Sequence, residues 1–323
     1  KVSEVIRTQV EHHRKKGDIV LALVATASTT ERGRFDPFPE IAEIAKEYGI
    51  WLHVDAAHGG ALKLSHRREY RDLVRGLELA DSIVVDPHKW FYVPYSTGAV
   101  LFKNRTNLDF LRHSAEYVLR PEDEAKGLVD LGRYSTQGSK RFDALKLWAA
   151  LQVIGIDILG RFVDQTIDET RKIARWVDLQ DDFEIHDPEA NVFTFRFAPK
   201  ELREALLRAK RSRDQAGIEK LNRILNELNT RLFERLRREG RWYFSKTRLR
   251  YTRYAHPGNF PESNSLVVLR NVNMNPFTHQ RILRRLYREA AGIGREIYAS
   301  MNEFARSETR ASEIPAEREN PES

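Results

Sequence analysis

Residues 50–60 read IWLHVDAAHGG and residues 81–90 read DSIVVDPHKW; each opens as an apolar run and ends in a polar tip, carrying Asp55 in the first and Lys89 in the second. Short apolar runs bounded by turn formers suit strands of a parallel sheet, which helices cover on both faces. Working outward, IVLALVA (residues 19–25) predicts an earlier strand buried on both faces, and PEIAEIAKEYG (39–49) has helical spacing closed by Gly49. A charged helical stretch, Arg67 to Leu79, separates the two decisive segments, and TGAVLFKN (97–104) adds another strand. The order strand, helix, strand, helix, strand predicts an α/β sheet, in which ligands gather beyond the carboxyl ends of the strands. Asp55 and Lys89 fall at two such ends, where one small molecule could touch both.

The residue types at those tips suggest a chemistry. Partial burial beside His88 and Trp90 would depress the pKa of Lys89 and free its amine to attack an aldehyde. A surface lysine that merely follows a strand is the alternative, and the spacing from Asp55 favours the chemical reading. A carboxylate ending an apolar strand needs a partner, because burying a lone charge is costly. A protonated ring nitrogen is such a partner for Asp55, and keeping it charged makes the ring an electron sink; a capping or salt-bridged Asp is the bland alternative. His53, Asp55 and His58 also invite a metal reading, since alternate strand residues share a face. It lacks a third convincing ligand set and leaves Lys89 unexplained, so no metal is expected. Gly59 and Gly60 are expected to permit close backbone approach.

Beyond residue 142 the alternation stops. Two helices, DALKLWAALQVIG (143–155) and DILGRFVDQTIDETRKIARWV (157–177), lead to strand-like segments at 183–199 and 263–275 that flank the helix KLNRILNELNTRLFERLRREG (220–240). This predicts a large domain over 1–150, a smaller α+β domain over 151–301 with the boundary near Leu151, and a polar, disordered tail over 302–323. The 323 residues carry a formal net charge of +7, but acids and bases interleave and no aromatic-studded basic stripe appears, so nucleic-acid binding is not expected. No cysteine is present, which excludes disulfides, thiolate metal sites and cysteine nucleophiles and fits a reducing cytoplasm. No apolar run reaches the length of about 18 residues that a membrane helix needs. The first 18 residues have an amphipathic helical pattern without the apolar region of a secretory signal.

Taken together, VATASTT (24–30), IWLHVDAAHGGA (50–61), LADSIVVDPHKW (79–90), AEYVL (115–119) and GSKRFDALKLWAALQVIG (138–155) resemble, in order, the group II pyridoxal-phosphate-dependent amino acid decarboxylases, with weaker likeness in DDFEI (181–185) and LRNVNMNPFT (269–278). The resemblance implies a fold-type I aminotransferase-like architecture, with a partial large domain and a smaller α+β domain, working as a homodimer with pyridoxal 5'-phosphate. It implies that Lys89 is the Schiff-base lysine, Asp55 the partner of the pyridine nitrogen, and Ala57 the small residue under the ring. Thr30 resembles the threonine near the cofactor hydroxyl and substrate carboxylate, while His88 and Asp86 correspond to positions near the phosphate and the lysine. An Asn often stands at the place of Asp86, so a direct phosphate contact there is disfavoured by charge. Tyr117 resembles the loop tyrosine that protonates the substrate carbon, which implies decarboxylation rather than aldehyde formation. The family's long segment ahead of these motifs, with its stacking histidine and phosphate cradle, has no counterpart in the sequence. The expected activity is conversion of an L-amino acid, an aromatic one by DPHKW, to amine and carbon dioxide. DAAHGGA is closer to the glutamate and diaminobutyrate branches; another fold-type I activity, or an inactive interaction module, are the further alternatives.

Overall fold

The computed structural model describes residues 2–112, 126, 131–135, 137, 140–250 and 265–312. The chain divides into two compact units, Lys1–Ile167 and Asp168–Ser323.

In the first unit, helix α1 (Val2–Lys15) precedes strand β1 (Ala22–Thr26), helix α2 (Phe38–Tyr48) and strand β2 (Trp51–Asp55). Gly49 ends α2 in the left-handed region at φ 61°, a conformation that costs an L side chain and suits glycine. A one-turn helix α3 (Arg68–Arg71) and two 3₁₀ turns then lead to strand β3 (Ser82–Val85), followed by β4 (Ala99–Phe102). The sheet order is β1-β2-β3-β4, parallel between β1, β2 and β3 and antiparallel between β3 and β4. Thr26 stands opposite Asp55, and Asp55 opposite Val84, so the three parallel strands finish level. Ala25, Leu52 and Val54 of the sheet are buried, as are Ile41, Ile44 and Ala45 of α2, where the period of 3.6 turns one apolar stripe inward. Strand β1 begins three residues later than the apolar run, and Val24 is 65% exposed. Among the described residues β1 pairs with β2 alone, at the edge of the sheet, and its alternate residues Ala22 and Val24 are exposed, so its run is not enclosed on both faces.

Helices α4 (Ala144–Val153) and α5 (Ile156–Asp178) follow. The residue near which the sequence reading places a boundary, Leu151, lies within α4, whereas the two units divide inside α5. No break in that helix marks the place: Asp164 and Thr166 hydrogen-bond to Ser65 and Trp90 of the first unit, and Ile173 and Val177 belong to the core of the second.

The second unit is built on an antiparallel sheet of order β5-β6-β8-β7, from β5 (Phe183–His186), β6 (Val192–Phe197), β7 (Ser245–Arg250) and β8 (Ser265–Val272). Helices α6 (Lys200–Arg211), α7 (Gln215–Glu239) and α8 (Gln280–Ser312) complete it. Phe183, Phe193, Phe195, Phe197, Phe244 and Tyr287 form its aromatic centre, with edge-to-face pairs such as Phe195–Phe244 at 4.8 Å. Helix α8 continues through Ser312, into the segment read as a polar tail, and residues 313–323 lie outside the described residues. Among the described residues no helix is long and apolar enough to cross a membrane.

Candidate active site

Three loops leave the level ends of β1, β2 and β3, and backbone hydrogen bonds stitch them together. Ala27 N donates to Asp55 O at 2.8 Å, Ala56 N to Val84 O at 3.0 Å, and Asp86 N to Ala57 O at 3.2 Å. Gly59 N donates to Ala27 O at 3.1 Å, and a Cβ on Gly59 would lie 2.6 Å from that same oxygen, so the β1 and β2 loops meet with no room for a side chain. Gly60 is less tight, its notional Cβ 3.1 Å from Val85 Cγ1. The stitching brings Asp55, Ala57, Asp86, His88 and Lys89 onto adjoining loops at one edge of the sheet.

Asp55 is half-buried, and its Oδ1 accepts from Ala57 N at 3.1 Å. The only hydrogen bond to its side chain among the described residues is this one, from its own loop, which fixes the carboxylate and leaves capacity for a further donor. Lys89 follows β3 in a turn whose backbone is closed by Lys89 N to Asp86 O at 2.9 Å. Its side chain is 39% exposed rather than sequestered, and Nζ lies 2.9 Å from Asp86 Oδ2. The same Asp86 oxygen is 3.9 Å from His88 Nε2. His88 Nδ1 sits 2.6 Å from the Thr97 carbonyl; a carbonyl only accepts, so Nδ1 carries the hydrogen and the ring is oriented by that bond. Asp86 is thus the anion between two nitrogenous side chains, a place from which a phosphate contact by its carboxylate is disfavoured.

The residue after Lys89 is locked into the core. Trp90 is fully buried, donates from Nε1 to Thr166 Oγ1 at 3.0 Å and stacks on His58 at 5.0 Å. Burial pushes the Tyr92 phenol up to about 12, so it stays protonated at neutral pH. His53 Nδ1 lies 2.7 Å from Ser82 Oγ, which also accepts from Trp51 Nε1 at 2.9 Å; the histidine is committed to joining β2 to β3. Among the described residues no three His, Cys, Asp or Glu side chains are grouped to hold a metal. Thr30 is exposed in the turn after β1, and Tyr117 lies outside the described residues.

Sequence reasoning passed over Ser28 and Thr97. Ser28 has a positive φ of 75° and a buried Oγ without a hydrogen-bond partner among the described residues. A buried hydroxyl in strained backbone, at the loop that adjoins Asp55, is the place where a bound polar group would be met. This orphaned hydroxyl, a carboxylate with spare acceptor capacity, a lysine on the next loop and a Cβ-free approach at Gly59 fit a flat, polar-rimmed heteroaromatic aldehyde.

The comparisons with known proteins agree. The pyridoxal-dependent decarboxylase conserved domain matches residues 2–198. The chain is 36% identical over 274 residues to aspartate 1-decarboxylase of Aliivibrio fischeri, covering 84% of this chain and 47% of that protein. It is 37% identical over 198 residues to L-2,4-diaminobutyrate decarboxylase of Acinetobacter baumannii (61% and 38%), and 27% over 297 residues to aromatic-L-amino-acid decarboxylase of Bacillus atrophaeus (91% and 55%). The crystal structure of mouse CSAD in apo form superposes with a TM-score of 0.74 at 28% identity, over 90% of this chain and 56% of that one. The chain spans about half the length of the curated relatives it matches. With a family domain over well more than half its residues and a fold to match, the chain belongs to the pyridoxal-dependent decarboxylase family.

Proposed function

We propose that the protein is a pyridoxal-phosphate-dependent carboxy-lyase that converts an L-amino acid to its amine and carbon dioxide. The observation that carries this reading is the hydrogen bond from Asp86 N to Ala57 O, which ties the loop of Lys89 to the loop of Asp55 at the level ends of parallel strands. When bound, pyridoxal phosphate supplies an aldehyde for amines and a ring that takes up the electron pair left when carbon dioxide departs.

The chain's own residues do the rest. Lys89 would hold the cofactor through its amine. Asp55 would partner the ring nitrogen, and Ala57 would be the small residue that leaves room for the ring. Asp86 pairs with the Lys89 ammonium whenever that amine is free, keeping it beside the reaction rather than in solvent. His88, oriented by the Thr97 carbonyl, would help to hold the phosphate, and Thr30 and Ser28 would offer hydroxyls at the β1 loop. Tyr117 delivers the proton that replaces the lost carboxylate on the substrate carbon. Cytoplasmic residence, in keeping with a chain free of cysteine, and a homodimeric working unit are part of the same proposal.

The side chain of the substrate divides the motifs. DPHKW points to aromatic substrates; DAAHGGA, together with higher identity to the aspartate and diaminobutyrate relatives than to the aromatic one, favours a polar aliphatic substrate. The test is release of carbon dioxide from a panel of L-amino acids by the full-length protein, with product analysis for amine, aldehyde or ketoacid. Lys89→Ala is expected to remove both turnover and cofactor absorbance near the visible edge. Wild-type protein without that absorbance would instead be a cofactor-free interaction module, and aldehyde or ketoacid as product would reassign the reaction.

A further inference from the structure

Ser28 stands in the loop after β1 with φ at 75°, in the left-handed region that is unfavourable for a residue with a Cβ, and its side chain is buried. Its two neighbours impose that conformation. Ala27 is clamped to the β2 loop, its N donating to Asp55 O at 2.8 Å and its O accepting from Gly59 N at 3.1 Å. Thr29 is clamped in a turn of its own, its N donating to Arg34 O at 2.8 Å and its O accepting from Gly33 N at 2.7 Å. Between two fixed residues the backbone of Ser28 has no relaxed alternative.

Three hydroxyl residues follow one another here, and they differ. Thr29 Oγ1 is committed, accepting from Arg34 N at 3.1 Å, and Thr30 is exposed. Ser28 Oγ is buried without a hydrogen-bond partner among the described residues, an unfavourable state for a hydroxyl. Glycine would adopt this φ without strain and bury no polar atom. Serine carries both penalties, and the hydroxyl is all it adds.

We propose that Ser28 is a cofactor-contacting residue whose hydroxyl donates to the ring oxygen of pyridoxal phosphate. The inference rests on the decarboxylase reading and deepens it. On that reading Asp55 partners the ring nitrogen, Lys89 takes the aldehyde and His88 helps to hold the phosphate. The ring oxygen is the polar atom left over; it accepts, and a serine hydroxyl donates. The sheet order agrees, because β1 and β3 lie on opposite sides of β2, so the Ser28 loop reaches Asp55 from the side away from Lys89 and His88. An unmet donor in the free protein that the cofactor satisfies sets stability of the unloaded chain against affinity for the ring.

The experiment uses full-length protein freed of cofactor. Pyridoxine 5'-phosphate, which keeps the ring oxygen and the phosphate but has no aldehyde to react, is titrated by calorimetry beside inorganic phosphate, and urea denaturation reads the stability of the unloaded protein. Ser28→Ala should weaken pyridoxine 5'-phosphate about fivefold, the loss of one hydrogen bond, while leaving inorganic phosphate unchanged and the urea midpoint no lower. Ser28→Gly should weaken it likewise and raise the midpoint, since strain leaves together with the hydroxyl. Unchanged affinity in both variants overturns the contact. So does a lowered midpoint in both, which would make Ser28 a packing residue. An equal loss for inorganic phosphate moves the hydroxyl to the phosphate and overturns the assignment, and loss in Thr30→Val with Ser28→Ala unchanged gives the ring oxygen to Thr30. Wild-type protein that binds neither pyridoxine 5'-phosphate nor pyridoxal phosphate would defeat the underlying reading, and the contact with it.

Discussion

At the scale of single residues, the site depends on groups whose value comes from where they cannot go. Gly59 has no alternative: a methyl group there would meet Ala27 O at 2.6 Å and Phe35 Cε1 at 2.8 Å. Gly59→Ala is expected to cost about 1–3 kcal/mol, read as a lower denaturation midpoint, as the loops of β1 and β2 are forced apart. Tyr92 makes a pH prediction with a definite sign. Its folded-state pKa, raised by burial to about 12 from an ordinary 10, means that between those values the folded chain holds a proton the unfolded chain has released. Stability therefore falls as pH rises through that window, by roughly 2–3 kcal/mol from this residue, and is untouched at neutral pH. Tyr92→Phe should flatten the alkaline fall in urea midpoints between pH 10 and 12; an unchanged profile would show that the phenol is not buried as described. At this scale the sequence was most informative for Asp55 and Lys89, since an acid or amine ending an apolar run is visible in one dimension. It was blind to Ser28, whose backbone angle and missing partner exist only once the loops have met.

At the scale of elements, helix α7 shows how a helix is locked to a sheet. Asn229 Oδ1 accepts from Phe197 N at 2.7 Å and its Nδ2 donates to Phe197 O at 2.9 Å, so one amide satisfies both backbone groups at the end of β6. Three residues earlier on the same face, Asn226 treats β8 likewise, accepting from Val267 N at 2.8 Å and donating to Ser265 O at 2.7 Å. Asn229→Ala leaves two buried groups unpaired and is expected to cost about 2–4 kcal/mol in chemical denaturation, whereas an exposed polar residue of that helix should cost little. The apolar spacing of α7 was legible in the sequence; the purpose of the buried Asn229 and the half-buried Asn226 was not, because a polar residue on an apolar stripe reads as an interruption until the strand it serves is known. Strand β1 is the converse case. Its composition reads as fully enclosed, yet Ala22 and Val24, alternate residues on one face, are exposed.

At the scale of the molecule, the two units carry separate cores. Phe195 is fully buried among Phe183, Phe193, Phe244 and Tyr287, and Phe195→Ala should cost about 3–5 kcal/mol through lost burial and a cavity. In hydrogen exchange, amides of β5, β6 and β8 are expected to lose protection while those of β2 and β3 keep theirs; uniform loss would mean that the units unfold as one. What the sequence by itself determined is the order of elements and the pair of chemical tips, because strand and helix periods, turn formers and the residue types at strand ends are local properties of the chain. The tertiary structure alone decided which residues keep company: that the loop of Asp86 meets the loop of Ala57, that the Ser28 hydroxyl is buried without a hydrogen-bond partner among the described residues, and that Gly59 closes on Ala27. Those pairings join positions far apart along the chain, and no local periodicity records them; they arise when parallel strands end level and their loops must satisfy one another's hydrogen bonds and charges.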